Sequence, residues 1–147
     1  MSMKLKDVRR FIRKFTNKRV WIRFLWESES WGIEGASAYA FRFEKPFSTN
    51  MIVLNRNTWR FRTRADQKSI LLHELGHIQS KNGFSKSKVE AEFSAHRWAM
   101  RKARQFNMKM AYRELVSYLD IWRESPWNSE FRAYRMMAIR VEKEKVI

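Results

Sequence analysis

The chain has 147 residues and carries 31 Lys and Arg against 15 Asp and Glu, which gives a formal net charge of +16. This length predicts one domain over residues 1–147, and the charge favours an anionic partner over a neutral one, although a basic surface that is merely solvated is the alternative. The chain has no cysteine, which excludes disulfides and thiolate metal sites, and it has no long apolar run or signal-like N-terminus, which predicts a cytoplasmic protein without a membrane span.

The first predicted element is an amphipathic helix near the N-terminus. Apolar residues recur at helical spacing from Leu5 to Phe15 beneath a basic face. Such a helix also suits a membrane surface or a targeting peptide. The stripe is short and passes directly into a strand pattern, which favours a helix packed on the core.

Three short β-type segments follow this helix. Residues 20–26 alternate between two faces, and "SAYAFRF" at 37–43 alternates again before Pro46. The segment between them, 28–36, is typical of a turn, and "NMIVLN" at 50–55 is the third strand. Three strands in sequence predict a small antiparallel meander.

The remainder of the chain is predicted to be helical after the basic, aromatic connector "RNTWRFRTRADQ". Helices are expected at about residues 65–80, 88–106 and 110–124, and from about Ser129 into the tail. Asn82 and Gly83 are expected to end the first of these, a Ser87–Glu90 capping box to begin the second, and Pro126 to close the third. The fold class is therefore α+β, with a small antiparallel sheet packed on a helical bundle.

The sequence "HELGH" at residues 73–77 lies within an otherwise apolar helix. Residues i and i+4 are separated by about 40° of rotation and about 6 Å of rise, so His73 and His77 project from one face and can bind one ion. Glu74 lies beside them, where it can contact a water molecule rather than the ion. Ordinary hydrogen bonds are the alternative, but two of the chain's three histidines are here, which favours a metal site for zinc or another ion that accepts imidazole.

A catalytic zinc site needs a third protein ligand. Glu92 and His96 share one face of the next predicted helix, again by i, i+4 spacing. Glu92 is the favoured third ligand, and His96 then orients a ligand from behind. A site made of all three histidines is the competing prediction, and Glu90 is a weaker candidate because it belongs to the capping box.

These motifs resemble those of the ImmA/IrrE-type metallopeptidases, zinc proteins of the gluzincin kind that phages and mobile elements often encode. The resemblance rests on "HELGH", on "NMIVLN", which is similar to the strand that precedes the motif helix, and on "EFSAHRWA" at 92–99, which is similar to the second family motif. It covers about residues 36–104. His96 departs from the family pattern, which has Asn or Asp at that position.

The resemblance implies a zincin-like fold, bound Zn²⁺ and peptidase activity in a host cytoplasm if the chain is phage-encoded. Its metal ligands would be His73, His77 and Glu92. Family members are thought to cleave or inactivate transcriptional repressors, often alongside a helix-turn-helix domain, and this chain shows no such domain. The resemblance therefore implies a protein or peptide substrate, and a repressor in particular.

The expected chemistry is hydrolysis of a peptide bond. Zinc lowers the pKa of water and polarises the carbonyl, while Glu74 takes the proton and delivers it to the leaving amine. A donor for the developing oxyanion is also needed. The candidates, which the sequence does not rank, are Tyr39, Tyr112, Tyr118 and Tyr134.

A second class of function is a nucleic-acid-binding or regulatory protein whose metal site is structural or vestigial. In the connector, Trp59 and Phe61 are interleaved with arginines that would neutralise phosphates while the rings stack on bases. Those arginines are Arg56, Arg60, Arg62 and Arg64. The alternative is that the aromatic rings pack inward and the arginines are only solvated.

Overall fold

The computed structural model describes residues 2–26, 37–43, 49–125 and 131–144. Within these ranges the chain has an α+β fold of six helices and three strands. In chain order the elements are α1 (Leu5–Arg13), β1 (Val20–Leu25), β2 (Ala38–Phe43), β3 (Thr49–Asn55), α2 (Arg56–Trp59), α3 (Arg64–Gln79), α4 (Lys88–Gln105), α5 (Lys109–Arg123) and α6 (Arg132–Lys143). The turn predicted at 28–36, Pro46 and Pro126 lie outside the described residues.

The sheet is mixed, so the predicted antiparallel meander is wrong. Its strand order is β1-β3-β2, with β3 antiparallel to β2 but parallel to β1. β3 is paired along both edges and buried on both faces, with Ile52 and Leu54 in one apolar cluster and Val53 in another, so its apolar residues are continuous and all three are fully buried. β1 and β2 are the two edge strands of the sheet, and many of their side chains are exposed or half-exposed.

The amphipathic helix α1 packs on the core, as predicted. Val8, Phe11 and Ile12 are buried in the same cluster as the apolar residues of α3. The apolar side of α1 is therefore occupied within the fold. Among the described residues, no helix has both the length and the apolar character required to cross a bilayer.

The connector between the sheet and α3 divides its aromatic side chains between the core and the surface. Trp59 is buried and donates its indole N–H to the carbonyl of Met3 at 2.9 Å, whereas Phe61 is 75% exposed. Arg62 pairs with Asp66 at 2.8 Å, at the start of α3. Trp59 is therefore not available to stack on bases, and the charge of Arg62 is already paired with that of Asp66.

The close packing of α3 on α4 positions the site. A Cβ atom added to Gly76 would lie 2.2 Å from the backbone oxygen of Ala95, so the two helices cross at a distance that only glycine permits. The crossing sets the motif face of α3 against Glu92 and His96 of α4. The side-chain oxygen of Ser87 caps α4 by accepting from the N–H of Glu90 at 3.3 Å, as the capping-box pattern predicts.

Candidate metal centre

The structure brings His73 and His77 of α3 together with Glu92 of α4. The Nε2 atom of His73 lies 2.9 Å from one carboxylate oxygen of Glu92, and the Nε2 atom of His77 lies 3.4 Å from the other. The ligand atoms of the three residues all lie within 4.8 Å of one another. Two imidazoles and one carboxylate therefore converge on one point, and this donor set is one that proteins use for Zn²⁺.

His96 lies behind this group rather than in it. It is fully buried, its Nε2 lies 2.9 Å from the carbonyl oxygen of Leu115, and its Nδ1 lies 3.0 Å from the Nδ1 of His73. Because a carbonyl only accepts, the Nε2 of His96 carries the hydrogen and its Nδ1 accepts from His73. This arrangement leaves the Nε2 atom of His73 facing the carboxylate of Glu92. His96 thus contacts His73 from the side away from Glu92, and its role in orienting a ligand stays a prediction.

The tautomer of His77 is fixed in the same way by a backbone carbonyl. Its Nδ1 donates to the carbonyl oxygen of Gly83 at 2.6 Å, so its Nε2 faces the carboxylate of Glu92. A Cβ atom on Gly83 would lie 2.0 Å from the backbone oxygen of His77, which explains why a glycine stands here. Both motif histidines therefore present Nε2 to the same carboxylate.

The electrostatics of the group favour a positive charge between its members. Burial alone would lower the pKa of His77, but the hydrogen bond and charge of Glu92, together with the charge of Glu74, raise that pKa to about 9. Burial alone would raise the pKa of Glu92, yet hydrogen bonds from His73 and His77 hold that pKa well below its usual range. A divalent cation would satisfy the same lone pairs and the same carboxylate that a proton satisfies here.

Glu74 is buried beside this group without belonging to its three ligands. It is 8% exposed, and burial raises the pKa of its carboxyl, with the neighbouring charge of Glu92 acting in the same direction. The backbone N–H of Ala40, on the edge strand β2, donates to its carboxylate. The side chain is therefore held between the group formed by His73, His77 and Glu92 and the sheet edge.

A cleft of about 330 Å³ opens onto His73 and Glu74. Several aromatic side chains line it, and the ring of Trp122, on α5, packs against the site with its centroid 5.9 Å from that of His73 and 5.2 Å from that of His96. The aromatic side chains that line it are Tyr39, Tyr118, Trp122, Phe131 and Tyr134. A cleft that combines aromatic walls with a few polar groups beside a buried carboxylate has the character of a binding site for an organic molecule.

The geometry distinguishes Tyr134 from Tyr112 and Tyr118, whereas Tyr39, on β2, lines the cleft as Tyr134 does. The hydroxyl of Tyr118 donates to Asp66, and Tyr112 lies in a separate depression with Lys109 and Arg113. Tyr134 lines the cleft and hydrogen-bonds to Glu92, and its pKa is raised by burial and then by the carboxylates of Glu92 and Glu74. Its hydroxyl therefore stays protonated and able to donate, next to the carboxylate of Glu92.

Several groups that shape the site were not among the predicted residues. They are the indole of Trp122, the N–H of Ala40, and the backbone carbonyls of Leu115 and Gly83. Backbone groups carry no signal in a sequence, because every residue has them. The sequence gives no signal for Trp122 either, because its position in the helix pattern is the same as that of any half-buried aromatic residue.

Comparison of the chain with family models, with curated proteins and with solved structures found no match. The family resemblance therefore rests on the motifs alone.

Proposed function

We propose that the protein is a zinc-dependent metallopeptidase of the ImmA/IrrE kind with a zincin-like fold. The single observation that carries the proposal is the convergence of His73, His77 and Glu92 on one point, with the buried carboxylate of Glu74 beside them at the mouth of an aromatic cleft. The substrate is a protein or peptide, and the motif resemblance points to a regulatory protein such as a repressor.

In this proposal His73, His77 and Glu92 hold the ion, while His96 and the carbonyl of Gly83 fix the two imidazole rings from behind. When bound, Zn²⁺ supplies Lewis acidity, which polarises the scissile carbonyl and makes water easier to deprotonate. Protein side chains carry out the proton transfers and stabilise the developing negative charge.

Glu74 is the general base and then the general acid. It takes a proton from the attacking water and delivers it to the leaving amine as the C–N bond breaks. Burial favours this double role, because it raises the pKa of the carboxyl towards the working range of a group that both accepts and returns a proton. Tyr134 donates its hydroxyl hydrogen to the carbonyl oxygen as negative charge develops there.

The alternative function, a regulatory or nucleic-acid-binding protein with a structural or vestigial metal, leaves Glu74 without a purpose. A structural ion needs ligands and no neighbouring base, and burying a carboxylate that is not a ligand costs free energy. The buried position of Glu74 therefore favours the peptidase over the structural site.

The direct test is hydrolysis of an unfolded protein such as casein, followed by mass spectrometry of the fragments. We expect cleavage that stops after treatment with a zinc chelator and returns when Zn²⁺ is restored. Zinc-loaded protein that cleaves neither casein nor a mixed peptide library would reject the peptidase and leave the structural-metal alternative.

Tyr134→Phe removes only one hydroxyl group from the cleft. We expect kcat to fall by about 100- to 1,000-fold, the usual effect of losing one oxyanion donor, with little change in KM. Zinc content, measured alongside, is expected to stay at the wild-type level, which separates this role from support of Glu92. Tyr112→Phe, outside the cleft, is the matched control, and equal rates for the two variants would remove Tyr134 from the mechanism.

A further inference from the structure

The exposed side of α1 and the start of α3 form a dense positive surface that the peptidase chemistry does not use. We call it the basic face. It consists of Lys6, Arg9, Arg10, Arg13, Lys14 and Arg64, all exposed to solvent.

The positive charges of the basic face are not neutralised within the fold. In the described part of the chain, Arg62, Arg123 and Arg140 form ion pairs with carboxylates, whereas none is recorded for the six residues of the basic face. The one carboxylate on α1, that of Asp7, accepts from the backbone N–H of Lys4 and so caps its own helix.

The basic face also holds like charges close together across two elements. The pKa of Lys68, on α3, is lowered by burial and then by the positive charges of Arg64 and Lys14. Arg64 and Lys68 lie on α3 and Lys14 follows the last residue of α1, so tertiary packing brings the three cations together. Such crowding weakens the fold through repulsion unless an anion lies nearby.

The chemistry of the basic face distinguishes between two kinds of polyanion. A helix that binds a membrane surface inserts its apolar side, but Val8, Phe11 and Ile12 of α1 are already buried in the core. The exposed side offers mainly guanidinium groups, and the planar fork of arginine matches the two oxygens of a phosphate. Arg9 and Arg13 are four residues apart, so they project from one side of the helix.

We propose that the basic face binds the phosphate backbone of nucleic acid, without sequence preference. The basic face differs from the nucleic-acid surface predicted for the connector, and Arg64 is the one residue that the two surfaces share. The basic face shares no residue with the candidate metal centre, so the peptidase proposal and the nucleic-acid proposal can be tested separately.

The test uses wild-type protein, a short fluorescein-labelled DNA duplex of mixed sequence, and fluorescence anisotropy across a series of salt concentrations. We expect log Kd to vary linearly with log salt concentration. The double variant Arg9→Gln/Arg13→Gln should bind more weakly at every salt concentration, and the slope should fall by about 2, because each lost phosphate contact removes about 0.9. Circular dichroism checks that the helices are retained.

The matched control removes the same charge from α6, through Arg132→Gln/Lys143→Gln, both exposed positions on a helix that packs on α4 and α5. This variant should keep the wild-type slope. A second variant, Arg9→Lys/Arg13→Lys, keeps the charge and should retain most of the binding. Equal loss in the α1 and α6 variants, no binding by the wild type, or binding to phosphatidylserine vesicles but not to the duplex would each overturn the proposal.

Discussion

Glu74→Gln is expected to reduce peptide hydrolysis by about 100- to 10,000-fold, the usual contribution of a positioned general base. The amide is nearly the same size as the carboxylate but cannot take a proton from water. Because Glu74 is outside the group formed by His73, His77 and Glu92, zinc content is expected to stay unchanged. The measurement is kcat on a cleaved peptide, with metal content determined on the same preparation.

The control for this variant is Glu90→Gln, another carboxylate-to-amide change in the neighbouring helix. The Glu90 carboxylate pairs with Arg140 and accepts from Asn82, away from the cleft. Replacing the Glu90 carboxylate by an amide should leave kcat within a few-fold of the wild-type value. Full activity in the Glu74 variant would contradict the general-base role and favour a structural metal.

Gly76→Ala is expected to destabilise the protein, although alanine is the better helix former. The gain in helix propensity is about 1 kcal/mol. A Cβ atom at position 76 would lie 2.2 Å from the backbone oxygen of Ala95, so the two helices must separate. Overpacking against side chains alone costs about 1–3 kcal/mol, and backbone cannot rotate away as a side chain can.

We therefore expect the free energy of unfolding to fall by about 2 kcal/mol, which corresponds to a Tm lower by about 4–8 °C. The melt should be recorded with a chelator present, so that bound metal adds nothing to stability. Ser117→Ala, at an exposed position of α5, is the control for propensity alone and should raise Tm slightly. A Gly76 variant as stable as wild type would show that α3 and α4 are not in backbone contact.

Local patterns predicted most of the helices because the signals lie within each segment. The Ser87 cap fixed the start of α4 at Lys88, and the apolar spacing around "HELGH" placed α3 within one residue at each end. The order of strands in the sheet depends on pairing between distant segments, which chain order favours but does not fix. The unbroken apolar run of β3 was the one available signal for a central strand.

The site likewise combines features that local spacing predicts with features that depend on contacts between distant segments. Spacing placed His73 and His77 on one face, and it left Glu92 and His96 as alternatives for the third position. Only the tertiary packing shows that the carboxylate of Glu92 faces both Nε2 atoms while His96 sits between His73 and the carbonyl of Leu115. The rank of Tyr134 among the tyrosines depends likewise on how α6 packs against α4 and α5.

The metal content of purified, chelator-free protein tests the central claim most directly. Elemental analysis of wild type should give one equivalent of zinc per chain. We expect Glu92→Ala to lose it, whereas His96→Asn should retain it with an affinity lower by about 10- to 100-fold, as for other groups that orient a ligand. Zinc lost from the His96 variant alone would make His96 the third ligand, and a wild-type protein without a stoichiometric cation would contradict the metal centre and the hydrolysis built on it.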